Sequence, residues 1–283
     1  MKDLAVLIPS YNDTPSLLKT LESIVEDDNA FTVVIVDDGS KEPVQIDSSD
    51  YPFSIHVITQ PENGGIVKAL NTGLSYIRSL DFNYVARLDA ADLQRPQRLG
   101  IQYQYLLENP SVSMVGSNAV FLDEDTNEEV FTTNLPLTPS ETRRWMVFRN
   151  CFIHPTVMLR TGVLDKAGVY DPHYRHIEDY VLFTRIVENS DAANIDTPLV
   201  DCYIRQGGIS LKNQRSQLIA GLKFKVAHPK PLDPLWYAFL LKRTSYLIIP
   251  PRMRNPLKRW FGFVKSDEEK SQTVRSRPRE SQS

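Results

Sequence analysis

Phe31-Thr32-Val33-Val34-Ile35-Val36-Asp37-Asp38-Gly39-Ser40 is the stretch on which the fold turns. Its first six residues are apolar or β-branched without polar alternation, the pattern of a strand covered on both faces. The run halts at two carboxylates and a glycine, which is how a buried strand exits into a tight turn. Three more short runs read the same way: Leu4–Ile8, Ile55–Thr59 and Tyr84–Leu88. Helix-period segments separate them. One runs from Gly65 to Ser79, with Ile66, Ala69, Leu70, Gly73, Leu74 and Ile77 on one face. Another runs from Pro96 to Glu108, with Leu99, Tyr103, Leu106 and Leu107 apolar. This β-α-β-α order predicts an α/β fold: a mainly parallel, Rossmann-like sheet flanked by helices. Ligands of such sheets lie beyond the carboxyl ends of the strands, so chemistry is sought there.

The second half is less regular. Thr138-Pro139-Ser140-Glu141 combines an N-cap, a first-turn proline and a capping-box glutamate, predicting a helix toward Phe148. Glu178–Asn189 and Leu211–Phe224 read as further helices, and Leu199–Tyr203 as a late strand. The predicted organisation is a catalytic domain over 1–211, a helical basic segment over 212–265 and a disordered tail over 266–283.

Charge sharpens that division. The chain of 283 residues carries a net charge of −3, but residues 1–211 balance to −14 and residues 212–265 to +11. In the basic segment, Trp236, Tyr246, Trp260 and Phe263 alternate with Lys242, Arg243, Arg252, Arg254, Lys258 and Arg259. Rings and cations together suit the interface of an anionic bilayer. No nucleic-acid-binding module precedes them, so nucleic acid is not an expected partner. No uncharged apolar run reaches the roughly 18 residues of a spanning helix. Met1-Lys2-Asp3 leads straight into a strand, without the order of a signal peptide. Two cysteines, Cys151 and Cys202, exclude a disulfide framework and a cysteine-rich metal site. The expected location is the cytoplasm, peripherally on the inner face of the cell membrane.

Five places carry candidate chemistry. Asp37-Asp38-Gly39-Ser40 could bind a ribose, a base N–H or a metal, although a turn of solvated acids explains it equally well. Ile8-Pro9-Ser10-Tyr11-Asn12 leaves the first strand in the same fashion. Asn63-Gly64-Gly65 opens a helix whose free N–H groups suit a diphosphate, or it is a plain turn. It lacks both GxGxxG and the Walker lysine, which leaves dinucleotide and P-loop binding unsupported. Arg87-Leu88-Asp89-Ala90-Ala91-Asp92 could present oxygens to a divalent ion, while Asp92 could equally cap a helix. Glu178-Asp179 begins a helix, where acids are favoured by the dipole and where one could act as general base.

Taken in order and spacing, these signals resemble the family-two glycosyltransferases over roughly residues 4–210. The matching phrases are IPSYN, VVIVDDGS, NGGIVKALNTGL, ARLDAADLQRPQRL, NPSVSMVGS, HPTVMLR and IEDYVLFTRI. The resemblance implies a GT-A fold, a nucleotide-sugar donor (most often a UDP-sugar) and inversion at the anomeric carbon. It assigns Asp179 as catalytic base, and Pro9, Tyr11, Asp38, Gly65, Lys68, Arg87, Asp89 and Arg205 to the donor. Asp89 and Asp92 would hold Mn2+ or Mg2+, and His154 and Glu178 would lie on the acceptor side. The acceptor would be a lipid-linked sugar or an oligosaccharide in bacterial cell-surface polysaccharide assembly. Two positions depart from the family pattern: Ala91 replaces an acid that often ligates the metal, and Gln206 stands at the place of a histidine. They motivate an alternative, a GT-A relative with impaired catalysis that binds or regulates. A nucleotidyltransferase would want a glycine- and lysine-bearing loop near the N-terminus, and residues 8–14 hold neither.

Overall fold

The computed structural model describes residues 1–204 and 214–248. Among the described residues nine strands form one sheet in the order β3-β2-β1-β4-β8-β6-β9-β5, with β7 paired to β6. They are β1 Leu4–Ser10, β2 Thr32–Asp37, β3 Ser54–Thr59, β4 Tyr84–Arg87, β5 Leu93–Gln94, β6 Val112–Asp123, β7 Glu129–Thr132, β8 Met158–Arg160 and β9 Asp191–Ile204. The first four are parallel neighbours. β8 is antiparallel to both β4 and β6, while β6 and β9 run parallel to each other. The expected mainly parallel sheet is therefore present, with the reversed β8 inserted at its centre and the short β5 and β7 also antiparallel to their neighbours.

Period-two alternation explains the layering. Ala5 and Leu7 of β1, with Val34 and Val36 of β2, pack on helix α2 (Ile66–Ser79) and share a core with α6 (Glu178–Asn189). Leu4, Val6 and Ile8, with Val33 and Ile35, face the other way onto α1 (Thr14–Glu22) and α3 (Arg98–Glu108). Covering both faces is why these strands are apolar throughout. The capping box expected at Thr138 and Glu141 is formed, and α4 runs Pro139–Trp145, stopping short of Phe148. A short turn of helix, α5 (Leu164–Ala167), precedes α6.

Over the described residues the basic segment forms α7 (Gln214–Ala227) and α8 (Pro234–Ile248), and these pack on the body of the fold. Phe224 and Phe239 are buried in the core shared with α6. Apolar area removed from water draws these rings inward. Arg205, Gln206, the stretch after Ile248 and the tail over 266–283 lie outside the described residues. No helix among the described residues is long and apolar enough to cross a membrane.

Candidate active site

The carboxyl ends of β1, β2 and β4 stand side by side, because Ser10 pairs with Asp37 and Leu7 with Arg87 in register. Pro9 is buried within β1, and Tyr11, just beyond it, is 48% exposed. The loops after β1 and β2 are tied together: the Asn12 amide donates to Ser40 Oγ at 2.8 Å, and the Lys41 amide to Asn12 Oδ1 at 2.9 Å. Asp37 closes its own turn by accepting from the amides of Ser40 and Val44, each at 3.0 Å. Gly39 has φ +71°, and a Cβ there would run into the backbone of Glu62 and Asn63, so the turn requires glycine.

The sequence suggests that Asp38 and Gly65 each meet a donor; the structure joins them to each other. The Asp38 carboxylate accepts from the Gly64 amide at 2.9 Å, the Gly65 amide at 2.8 Å and Asn63 Nδ2 at 2.9 Å. A carboxylate this buried needs donors, and amides ahead of a helix have no partners within it. Asp38 therefore clamps the loop that starts α2. The Gly64 and Gly65 amides, expected to be free at the start of α2, are taken up by Asp38. Lys68, exposed, lies one turn into α2 with its methylenes over Gly64. A groove of about 1000 Å³ follows α2 from Gly64 and Lys68 past Thr72 and Tyr76, with Pro172 on its rim.

At the end of β4, the buried Arg87 donates to Leu88 O and to Asp89 Oδ1. Burial pushes the Asp89 carboxyl up, and the Arg87 guanidinium more than reverses this, leaving it below the ordinary aspartate value. Asp92 moves the other way, pushed up to about 8 by burial and by the charge of Asp89. Its Oδ1 accepts from the Tyr203 amide at 3.1 Å. Ala91 between them has φ +92°, a left-handed conformation that costs a side-chain-bearing residue about 1–3 kcal/mol. Thr20 Oγ1 holds it there by accepting the Ala91 amide at 2.9 Å.

Sequence reasoning misses the support beneath these acids. Arg98 is completely buried and donates to Arg87 O at 2.7 Å and to Gln102 Oε1 at 2.9 Å. Gln102 in turn donates to Thr156 O at 2.8 Å, linking β4 to the turn that carries His154. Glu26, also buried, accepts from the Leu99 amide at 2.7 Å and caps α3, whose own N-cap Gln97 makes no such bond. A signal does exist: Arg98 and Gln102 sit among Leu99 and Leu106 on the apolar face of α3.

His154 Nε2 lies 2.8 Å from Tyr170 Oη. Burial and the neighbouring Arg87 push His154 down to about 3, so it is neutral at physiological pH. Asn71 of α2 fixes Tyr170 through two backbone bonds, at 2.8 and 3.1 Å. The phenol is pushed well up by burial, with Asp179, Asp89 and Glu178 adding to the effect. Asp89, beyond the end of β4, and Asp179 and Glu178, in α6, thus all act on this one hydroxyl. Asp179 is pushed up to about 7 by burial and by Glu178, and Asn150 Nδ2 donates to its Oδ2 at 2.9 Å. One oxygen of Glu178 is buried without a hydrogen-bond partner.

Among the described residues no group of three or more His, Cys, Asp or Glu side chains could hold a metal by itself. The Asp89 and Asp92 side chains carry hard oxygens, too few for a closed cage but of the kind an ion sharing its ligands with a phosphate would take.

The glycosyl transferase family 2 model matches residues 5–168, more than half of the chain. This chain belongs to that family. It is 31% identical to the amylovoran biosynthesis glycosyltransferase AmsE of Erwinia amylovora, over 75% of this chain and 79% of AmsE. It is 26% identical to the bifunctional glycosyltransferase pgtA of Dictyostelium discoideum over 74% of this chain, spanning only 32% of that protein. Among solved structures, S. aureus TarS 1-349 in complex with UDP matches with a TM-score of 0.66 at 18% identity, over 96% of this chain and 78% of that one. The mannosyltransferase PcManGT of Pyrobaculum calidifontis, in complex with GDP-Man and Mn2+, matches with a TM-score of 0.57 at 18% identity, over 83% and 68%. The fold is GT-A, and the protein is a glycosyltransferase of family 2.

Proposed function

We propose that this glycosyltransferase moves a hexosyl unit from a UDP-sugar to a hydroxyl of a lipid-linked or oligosaccharide acceptor, with inversion, in cell-surface polysaccharide assembly. The observation that carries it is Tyr170, whose hydroxyl meets His154 at 2.8 Å and feels the charges of both Asp89 and Asp179. The UDP bound by TarS and the polysaccharide named for AmsE support the donor and the setting.

Inverting transfer needs no covalent enzyme intermediate, only a base on the face opposite the leaving group. Asp179, poised near neutrality, takes the proton of the attacking hydroxyl. Glu178 raises the affinity of that base for a proton, and Asn150 orients it. His154, neutral and held by Tyr170, can meet the acceptor by hydrogen bonds without adding charge. Tyr11 and Pro9 border the nucleotide, and Lys68 and Arg205 offer cations to the diphosphate. Asp89 and Asp92 would hold Mn2+ or Mg2+ against that diphosphate, and such an ion neutralises the leaving group's charge. The Mn2+ in the PcManGT complex supports this assignment. The basic, aromatic chain from 212 to 265 holds the enzyme peripherally on the anionic inner face of the membrane.

The test is a panel of nucleotide sugars offered to the purified full chain with and without Mn2+, reading binding and slow hydrolysis. One UDP-sugar should bind and release UDP. Binding with no hydrolysis and no transfer would favour the regulatory reading that Ala91 and Gln206 motivate.

A further inference from the structure

Helix α8 turns apolar residues outward and cations inward. Its solvent face, Pro234, Tyr237, Ala238, Leu241 and Thr244, follows helical spacing and contains no charged residue. Its cations point to the protein instead: Lys242 lies over the Phe148 ring at 4.3 Å and Arg243 over Phe239 at 5.1 Å. Leu241 is 73% exposed, and Leu232, in the turn between α7 and α8, is 98% exposed. Beside them α7 turns Arg215, Ile219, Lys223 and Val226 outward. The only acid between 214 and 248 is Asp233, whose carboxylate caps α8 through the Leu235 amide. Apolar tips flanked by the exposed Arg215 and Lys223, with Asp233 engaged as a cap, complement an anionic bilayer surface better than a neutral protein face. The chain then continues beyond Ile248 into the basic, ring-bearing stretch 252–265.

We propose that the outer face of the α7–α8 hairpin, centred on Leu232, Tyr237 and Leu241, is the surface that docks on anionic lipid. This deepens the membrane reading given above and rests on it. It also fixes an orientation. Phe239, on the buried side of α8, stacks on Tyr180 with centroids 6.4 Å apart, and Phe224 of α7 meets the same ring at 5.9 Å. Tyr180 follows the base Asp179 directly. The docking face is therefore one helix away from the acceptor base, so a lipid-linked acceptor approaches from the surface on which the enzyme sits.

The experiment is flotation of the full chain with phosphatidylcholine vesicles, with and without phosphatidylglycerol. Leu232→Ser/Leu241→Ser is compared with a full-chain variant carrying Gln at Arg252, Arg254, Lys258 and Arg259. Both leucines are exposed, so donor hydrolysis should stay at the wild-type level and certify the fold. Wild type should float with anionic vesicles, and the leucine variant should lose about tenfold or more in partition, the value of one apolar side chain leaving the interface. If the leucine variant floats like wild type while the glutamine variant does not, the membrane reading stands and this face is wrong. If wild type floats with neither vesicle, both fail. If wild type instead forms a dimer that the leucine variant abolishes, the face belongs to a second copy and the proposal is overturned.

Discussion

Replacing Asp179 with Asn should stabilise the protein while removing its turnover, with a pH signature that can be worked from the structure. Burial and Glu178 push the carboxyl from 3.8 up to about 7, so the folded state holds this proton more tightly than the unfolded chain does. Below about pH 4 both states are protonated and the group costs nothing. As pH rises from there to 7, the unfolded chain ionises freely and the folded one does not, and wild type loses stability relative to Asn. Each pH unit separating the folded and unfolded titrations is worth about 1.4 kcal/mol, so the penalty at pH 8 is at most about 4 kcal/mol, and about 2–4 allowing for relaxation. Asn keeps an oxygen for the Asn150 bond and never ionises. Denaturant unfolding of both proteins should coincide near pH 4 and diverge by about 2–4 kcal/mol at pH 8, the variant being more stable. Turnover should fall by about two to four orders of magnitude while donor binding persists. A stability difference that does not change with pH would refute the burial of this carboxyl. Turnover close to wild type would remove it from the mechanism.

Three more outcomes follow from the same geometry. With Asp179 as base, kcat/KM should rise about tenfold per pH unit up to pH 7 and then level, and Glu178→Gln should move that break lower; a flat profile contradicts the assignment. Mn2+ should strengthen donor binding in wild type, weakly because Ala91 supplies no carboxylate, and Asp89→Ala or Asp92→Ala should diminish the effect; an unchanged metal effect in both puts the ion elsewhere. Asp38→Ala should free the Asn63–Gly65 loop, costing about 2–3 kcal/mol in stability and raising donor KM; unchanged values for both would mean the clamp is dispensable.

The parts of the fold legible in the sequence are those governed by local periodicity. Gly65 to Ser79 reads as a helix because its apolar residues recur at helical spacing, and the structure differs only in placing Gly65 outside as N-cap. Glu178–Asn189 matches to the residue. The central β8 is not legible, since three residues, Met158–Arg160, are too few to show a period, and what makes them a strand is their pairing with β4 and β6. The long β6 escapes a sequence reading because Gly116, Ser117 and Asn118 interrupt its apolar run, and several of their polar groups find distant partners such as Thr156 and Asp196. At the site the acids can be named from the sequence, but not their partners. That Asp38 binds the Gly64 and Gly65 amides depends on a separation of 26 and 27 residues closed by the sheet. Tyr170 matters through contacts made between layers, which no spacing rule exposes, while Arg98 and Gln102 show in the sequence only as polar residues on the apolar face of α3.

The stereochemical course of transfer tests the central claim most directly, because it follows from one base, Asp179, acting on the face opposite the diphosphate. Proton NMR of the product formed from the α-linked UDP-sugar that the donor panel selects reads the new anomeric configuration. A β-linked product from wild type, with none from Asp179→Asn, is the expected result. An α-linked product, or a β-linked one formed equally fast by Asp179→Asn, would contradict the assignment of this site.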